Sequence, residues 1–194
     1  MKVIGLTGNI ASGKTTVLKI FKFLGYPTIS CDDVYHDLLK TDTGLKNKLV
    51  RTFGREILDG NKISTQKLAK IICCNKQNLE KLEKITHPII LKKVFDKIKK
   101  LRNKGYKLCV IDVPLLFEKK LEHKFDYIIT IYCSKQIQIE RLKKRIVDKK
   151  LLNLLIERQK CIKEKIQKSY FVINNDDVSK KEVQKQVEKI INFL

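Results

Sequence analysis

Residues 2–25 pass from a short apolar run, KVIGLT, through GNIASGKT into KTTVLKIFKFLG. The order predicts a buried strand, a glycine-bearing loop and a helix. Val17, Leu18, Phe21 and Leu24 recur at helical spacing, and Gly25 stands where the helix should stop. The loop reads Gly8-Asn9-Ile10-Ala11-Ser12-Gly13-Lys14-Thr15-Thr16, and its Gly-x-x-x-x-Gly-Lys-Thr core is the spacing of a phosphate-binding loop. This constrains the fold strongly. The strand must end at the rim of a sheet and the helix must begin there, so that successive backbone N–H groups and the positive helix end face one anion. Glycine lets that backbone turn and approach without a Cβ in the way. Lys14 then reaches the β- and γ-phosphates, and the Thr15 hydroxyl ligates Mg²⁺. On the plainer alternative the glycines only make a turn and Lys14 is solvated. A strand and a helix placed where the motif needs them favour a nucleotide phosphate site.

The rest of the chain continues the alternation. Residues 26–30 (YPTIS) read as a second strand. KLCVIDV (107–113) and DYIITIYC (126–133) are continuous apolar runs, as in strands covered on both faces. YFVIN (170–174) gives a last strand, and residues 180–193 a closing amphipathic helix. Residues 33–103 read as mostly helical, punctuated by Gly44, Gly54, Gly60 and the His87-Pro88 step; residues 135–168 read as a lysine-rich helical region. The expectation is a three-layer α/β fold with a parallel sheet and its crevice beyond the carboxyl ends of the strands. With 194 residues and no repeat or Gly/Ser linker, the chain is one domain, or one domain with an inserted lid.

Net charge is +21, which raises the question of nucleic acid. The basic residues are 36 lysines and only 6 arginines, and no single block stands out. Arginine reads phosphates and bases bidentately, so its scarcity speaks against a nucleic-acid partner. Isoleucine is abundant too, and a compositional bias explains the lysine more simply. Attraction of polyphosphate substrates is the modest consequence. Cysteines stand at 31, 73, 74, 109, 133 and 161 with no C-x-x-C pair, which predicts free thiols in a reducing compartment. No apolar run approaches the roughly 20 residues that span a bilayer. A chain that enters a strand at once leaves no room for a signal peptide. The expectation is a cytoplasmic protein without a membrane partner.

Asp32 follows the second strand and should emerge on the rim that carries the phosphate loop. A kinase that phosphorylates a phosphate must grip an anion there, yet the first fifty residues hold no arginine. A kinase that phosphorylates a hydroxyl needs a carboxylate to orient it and take its proton. Asp32 fits that need, and Asp32 or Asp33 fits helix capping equally well. Asp112 ends the third strand in VIDVPLLFE, as a holder of Mg²⁺ or as a turn residue before Pro114. Glu118, in the same run, is a further candidate or a solvated helix residue. His87 before Pro88 reads as a turn and helix start rather than an acid or base. Arg141 and Arg145 lie four apart on one helix face, suited to planar contact with phosphate or base, or to pairing with Glu140 on a solvated face.

Taken together, IGLTGNIASGKTT, LGYPTISCDDV, ITHPII, VIDVPLLFE, DYIITIYC, QIQIERLKKR and FVINN resemble the dephospho-CoA kinase family along the whole chain. The resemblance implies a phosphate-loop kinase fold with a five-stranded parallel core (about 1–32, 105–134 and 169–194), a helical substrate-binding portion (about 33–104) and a lid (about 135–168). It implies transfer of the γ-phosphoryl of ATP to the 3′-hydroxyl of the dephospho-CoA ribose, with Mg²⁺, by a monomer or small homo-oligomer. Asp32 becomes the catalytic base, and Lys14 and Arg141 share in catalysis. Residues 8–16 with Arg141 and Arg145 hold ATP. Asp32, His87, Pro114 and Leu115 meet the substrate; Thr15 and Asp112 serve the metal. The chain departs from the family pattern in four places. Ser30-Cys31-Asp32 replaces Asp-Ala-Asp, and His36 a common arginine. Asn9 and Ala11 replace two optional glycines, and Ser169-Tyr170 replaces Ala-Asp.

Overall fold

A computed structural model describes residues 1–143, 156–157 and 159–194. Its centre is a five-stranded parallel sheet. The strands are β1 (Lys2–Gly8), β2 (Thr28–Ser30), β5 (Leu108–Asp112), β6 (Tyr127–Tyr132) and β7 (Phe171–Asn174), ordered β2-β5-β1-β6-β7. A two-stranded hairpin, β3 (Leu58–Asp59) and β4 (Lys62–Ile63), stands apart. The continuous apolar runs do become doubly covered strands: all five residues of β5 are buried, and so are Ile128 to Ile131 in β6. Val3 joins a core shared with α2 (Cys31–Thr41), α3 (Thr43–Phe53), α4 (Thr65–Cys74) and α5 (Lys76–Asn103). Ile4 and Leu6 face the opposite way, toward α1 (Lys14–Phe23) and α8 (Lys180–Phe193). Alternation along β1 thus separates the two cores and yields three layers.

Register fixes the site. Ser30 pairs with Asp112, and Asp112 with Leu6, so the carboxyl ends of β1, β2 and β5 share one rim. The chain leaves β1 for β2 on one side and later reaches β6 on the other, which opens the crevice beside the phosphate loop.

Two expectations need correction. His87-Pro88 does not start a helix. Helix α5 is 28 residues long and carries Pro88 in its interior. Apolar burial at Leu79, Leu82, Ile90, Val94 and Ile98 continues in phase on both sides of the proline, and this packing outweighs the lost backbone bond. Glu118 is not on a solvated helix. It lies in the loop between β5 and β6, its side chain 8% exposed, and pairs with Lys165. The lysine-rich segment contains α6 (Lys135–Lys143) and α7 (Ile162–Gln167); Arg145 lies outside the described residues.

Candidate active site

The loop after β1 closes around Lys14. Gly8 and Gly13 have φ of +145° and +101°, where side chains are strained. A Cβ on Gly13 would meet Asn175 Nδ2 at 2.0 Å, and one on Gly8 the Ile131 carbonyl oxygen at 2.5 Å. Both required glycines therefore answer to close approach as well as to backbone angle. Lys14 Nζ donates to the carbonyls of Gly8 (2.9 Å) and Asn9 (3.0 Å). Burial lowers its pKa, Asp112 opposes that shift, and the charge of Lys165 adds to it. Polar atoms around the loop await a partner: Asn9 Oδ1, Ser12 Oγ and Asp112 Oδ1 are buried without a hydrogen bond.

Three residues that the sequence did not single out grip this loop. Gln138 of α6 donates to the Ile10 carbonyl (2.8 Å), and Gln159 accepts from the Ile10 N–H (2.9 Å). Asn175, just past β7, donates to the Ser12 carbonyl at 2.7 Å. Arg141 does not turn to solvent beside Glu140. Its guanidinium donates to the Asn175 carbonyl at 2.9 Å, with longer contacts to the carbonyls of Ser12 and Ala11 at 3.4 and 3.5 Å.

Two cavities meet beyond the rim. One is lined by Ile10, Ala11, Gly13, Lys14, Thr15, Thr16, Asp112 and Gln159. The other, about 280 Å³, is walled mainly by apolar side chains of α5 and the β5–β6 loop, with Cys31, Tyr35 and His87. Asp32, Glu83, Pro114 and Leu115 line both. Asp32 does not cap α2. Ser30 is the N-cap, its hydroxyl accepting from the Asp33 N–H at 3.1 Å, which leaves the Asp32 carboxylate at the junction. Ser30, where the family pattern has a carboxylate, thus has a structural use. Burial and the neighbouring Asp112 and Asp32 push the Cys31 thiol up to about 12, so it stays protonated and inert.

Asp112 is 5% exposed, and burial raises it from 3.8 to about 6, Lys14 opposing the shift and Asp32 and Asp33 reinforcing it. Among the described residues no group of three or more His, Cys, Asp or Glu could hold a metal. Mg²⁺ asks for less: one or two protein oxygens, with phosphate and water completing its shell. The unpartnered Asp112 oxygen and the Thr15 hydroxyl, lining one cavity, fit that requirement.

A phosphate loop facing an apolar pocket across a carboxylate is the layout of a small-molecule kinase. The model of the dephospho-CoA kinase family matches residues 2–181. The chain belongs to that family. Its relatives include the dephospho-CoA kinase of Carboxydothermus hydrogenoformans, 38% identical over 90% of this chain and 86% of that protein. The dephospho-CoA kinase of Listeria monocytogenes is 36% identical over 98% and 96%. Among solved structures, the dephospho-CoA kinase from Campylobacter jejuni superposes with a TM-score of 0.67 at 25% identity, covering 99% of this chain and 96% of that one. Membership makes the chain a kinase with a nucleotide substrate, and the parallel five-stranded sheet is the fold the sequence called for. No helix among the described residues is long and apolar enough to cross a membrane.

Proposed function

We infer that this kinase transfers the γ-phosphoryl group of ATP to the 3′-hydroxyl of the ribose of dephospho-CoA, giving coenzyme A and ADP, the last step of coenzyme A biosynthesis. The observation that carries the reading is the pair of cavities that share Asp32. ATP phosphates take the loop of residues 8–16, and the acceptor takes the apolar pocket among Asp32, His87, Pro114 and Leu115. Lys14 exchanges its two loop carbonyls for β- and γ-phosphate oxygens. Asp32 accepts the proton of the 3′-hydroxyl as that oxygen attacks the γ-phosphorus and the bond to the ADP oxygen breaks. Thr15 and Asp112 would hold Mg²⁺, which when bound would neutralise charge on the phosphates. Arg141 turns its planar fork toward the phosphates as the lid, about 135–168, covers ATP; residues of about 33–104 form the acceptor side.

A coupled assay of ADP release tests this with dephospho-CoA, nucleosides and nucleoside monophosphates as acceptors. Dephospho-CoA should be turned over far faster than the others. Preference for a nucleoside or a monophosphate would replace this reading with that of another small-molecule kinase.

A further inference from the structure

Gln159 holds the phosphate loop with one half of its amide. Its Oε1 accepts from the Ile10 N–H at 2.9 Å. On the main chain beside it, the Lys160 N–H donates to Glu118 Oε1 at 2.8 Å, in the loop that follows β5. One anchor fixes the side-chain oxygen and the other the neighbouring backbone, so the amide is oriented before a ligand arrives. A primary amide carries one acceptor oxygen and two N–H donors. With the oxygen given to Ile10, the donors are what Gln159 has to offer a ligand. The residue lines the cavity that also holds Lys14, Thr15, Asp32 and Asp112.

Pro114 and Leu115 belong to the same β5–β6 loop as Glu118, and they wall both this cavity and the acceptor pocket. Gln159 is thus tethered to the acceptor side of the cavity, where the phosphate to be transferred must lie. Phosphate oxygens accept and do not donate, which matches an amide that presents its N–H groups. We propose that Gln159, oriented through Ile10 and Lys160, donates a hydrogen bond to a γ-phosphoryl oxygen of ATP, so that the site distinguishes ATP from ADP. The proposal rests on ATP occupying the phosphate loop and not on the identity of the acceptor. A neutral donor fixed in advance steadies the transferring group without adding positive charge. ADP leaves that donor to water.

The rival role is that Gln159 merely anchors the loop, and Gln138 supplies the comparison. It holds the same residue from the other side, donating to the Ile10 carbonyl at 2.8 Å. The test measures binding of ADP and of the β,γ-imido analogue of ATP, each with Mg²⁺ and without acceptor. The proteins are the unmodified chain, Gln159→Leu, Gln159→Glu and Gln138→Leu. Gln159→Leu should lower affinity for the analogue relative to ADP by about 10- to 100-fold, the range for one hydrogen bond to a charged group. Gln159→Glu keeps an oxygen for the Ile10 N–H but sets a charge against the phosphate, so the ratio should fall at least as far. Gln138→Leu loosens the same peptide and should leave the ratio unchanged. Gln159 is half-buried and its backbone anchor survives substitution, so its variants should fold, which their melting temperatures check. An unaltered ratio in folded Gln159→Leu or Gln159→Glu overturns the proposal. So does an equal fall in Gln138→Leu, which would make loop anchoring the cause. Failure of the unmodified protein to bind either nucleotide removes the nucleotide reading of the loop, and the assignment of Gln159 with it. An enzyme that shows these ratios but ignores dephospho-CoA loses the acceptor reading alone.

Discussion

At the scale of single residues, the choice at Asp32 turns on Ser30. Because the Ser30 hydroxyl caps α2, Asp32 is dispensable for the helix end. Asp32→Asn should therefore melt close to the unmodified protein and bind ATP normally. Transfer to dephospho-CoA should fall by roughly 10² to 10⁴, the usual worth of a general base. Near-normal single-turnover transfer would return Asp32 to a merely structural part. Asp112 makes the opposite bargain. Its pKa is raised to about 6 by burial, so below its unfolded value of 3.8 the carboxyl is neutral in both states. As pH rises through 6 the folded protein must ionise a buried group, and the stability present at low pH is lost. Asp112→Asn should then stabilise the nucleotide-free protein at pH 7.5 by on the order of 1–3 kcal/mol, with a much smaller effect near pH 4.5. Denaturant titrations at the two pH values check this, and an equal gain at both would mean that ionisation is not the cause.

At the scale of elements, α5 shows what a proline can be made to do. Pro88 deprives the Lys84 carbonyl of its helical partner, a change that costs about 3 kcal/mol in a helix interior. Pro88→Ala should recover roughly 1–3 kcal/mol of that stability. It should also raise the KM for the acceptor, since the neighbouring His87 lines the apolar pocket, while ATP affinity stays put. A gain in melting temperature with unchanged acceptor KM would show that the proline does not shape the site. The local signal was misleading here, because a proline in a helical pattern usually marks a boundary. The longer signal was present: buried positions from Leu79 to Ile98 keep one helical phase across residue 88. Long periodic elements were legible for the same reason, and the closing helix, Lys180–Phe193, falls where its pattern put it. The β3–β4 hairpin around Gly60 was not, since two-residue strands are too short to show a period. The phosphate loop was legible because spacing alone defines it. Gln138, Gln159 and Asn175 were not: neutral amides carry no pattern, and their loop contacts span 128, 149 and 163 residues.

At the scale of the whole molecule, a buried ion pair fastens α7 to the β5–β6 loop. Lys165 is fully buried, and its Nζ sits 2.8 Å from Glu118 Oε1. The contact is ionic rather than a well-aimed hydrogen bond, because Nζ has no partner in hydrogen-bond geometry. The same Oε1 also accepts the Lys160 N–H at 2.8 Å, next to the Gln159 that holds Ile10. Phosphate loop, β5–β6 loop and the approach to β7 are thus linked through Glu118. Among 36 lysines, nothing in the sequence distinguished this one from its solvated neighbours. Its burial sets up a test of what the pair contributes. Removing one partner strands a charge in the interior, whereas replacing both with apolar groups of similar volume is often neutral. Lys165→Met should therefore destabilise the protein by about 3–5 kcal/mol, and Lys165→Met with Glu118→Leu should recover most of that loss. The Lys160 N–H gives up its acceptor in the double variant, so recovery should stop short by about 1 kcal/mol, the net worth of one hydrogen bond. Function should separate the two variants differently. With Glu118 gone, Lys160 and Gln159 lose their anchor, and the double variant should show raised KM for ATP despite its restored stability. Denaturant unfolding together with steady-state ATP kinetics on the two variants decides the matter: a double variant as unstable as Lys165→Met, or one with unaltered ATP kinetics, would show that the pair does not couple α7 to the phosphate loop.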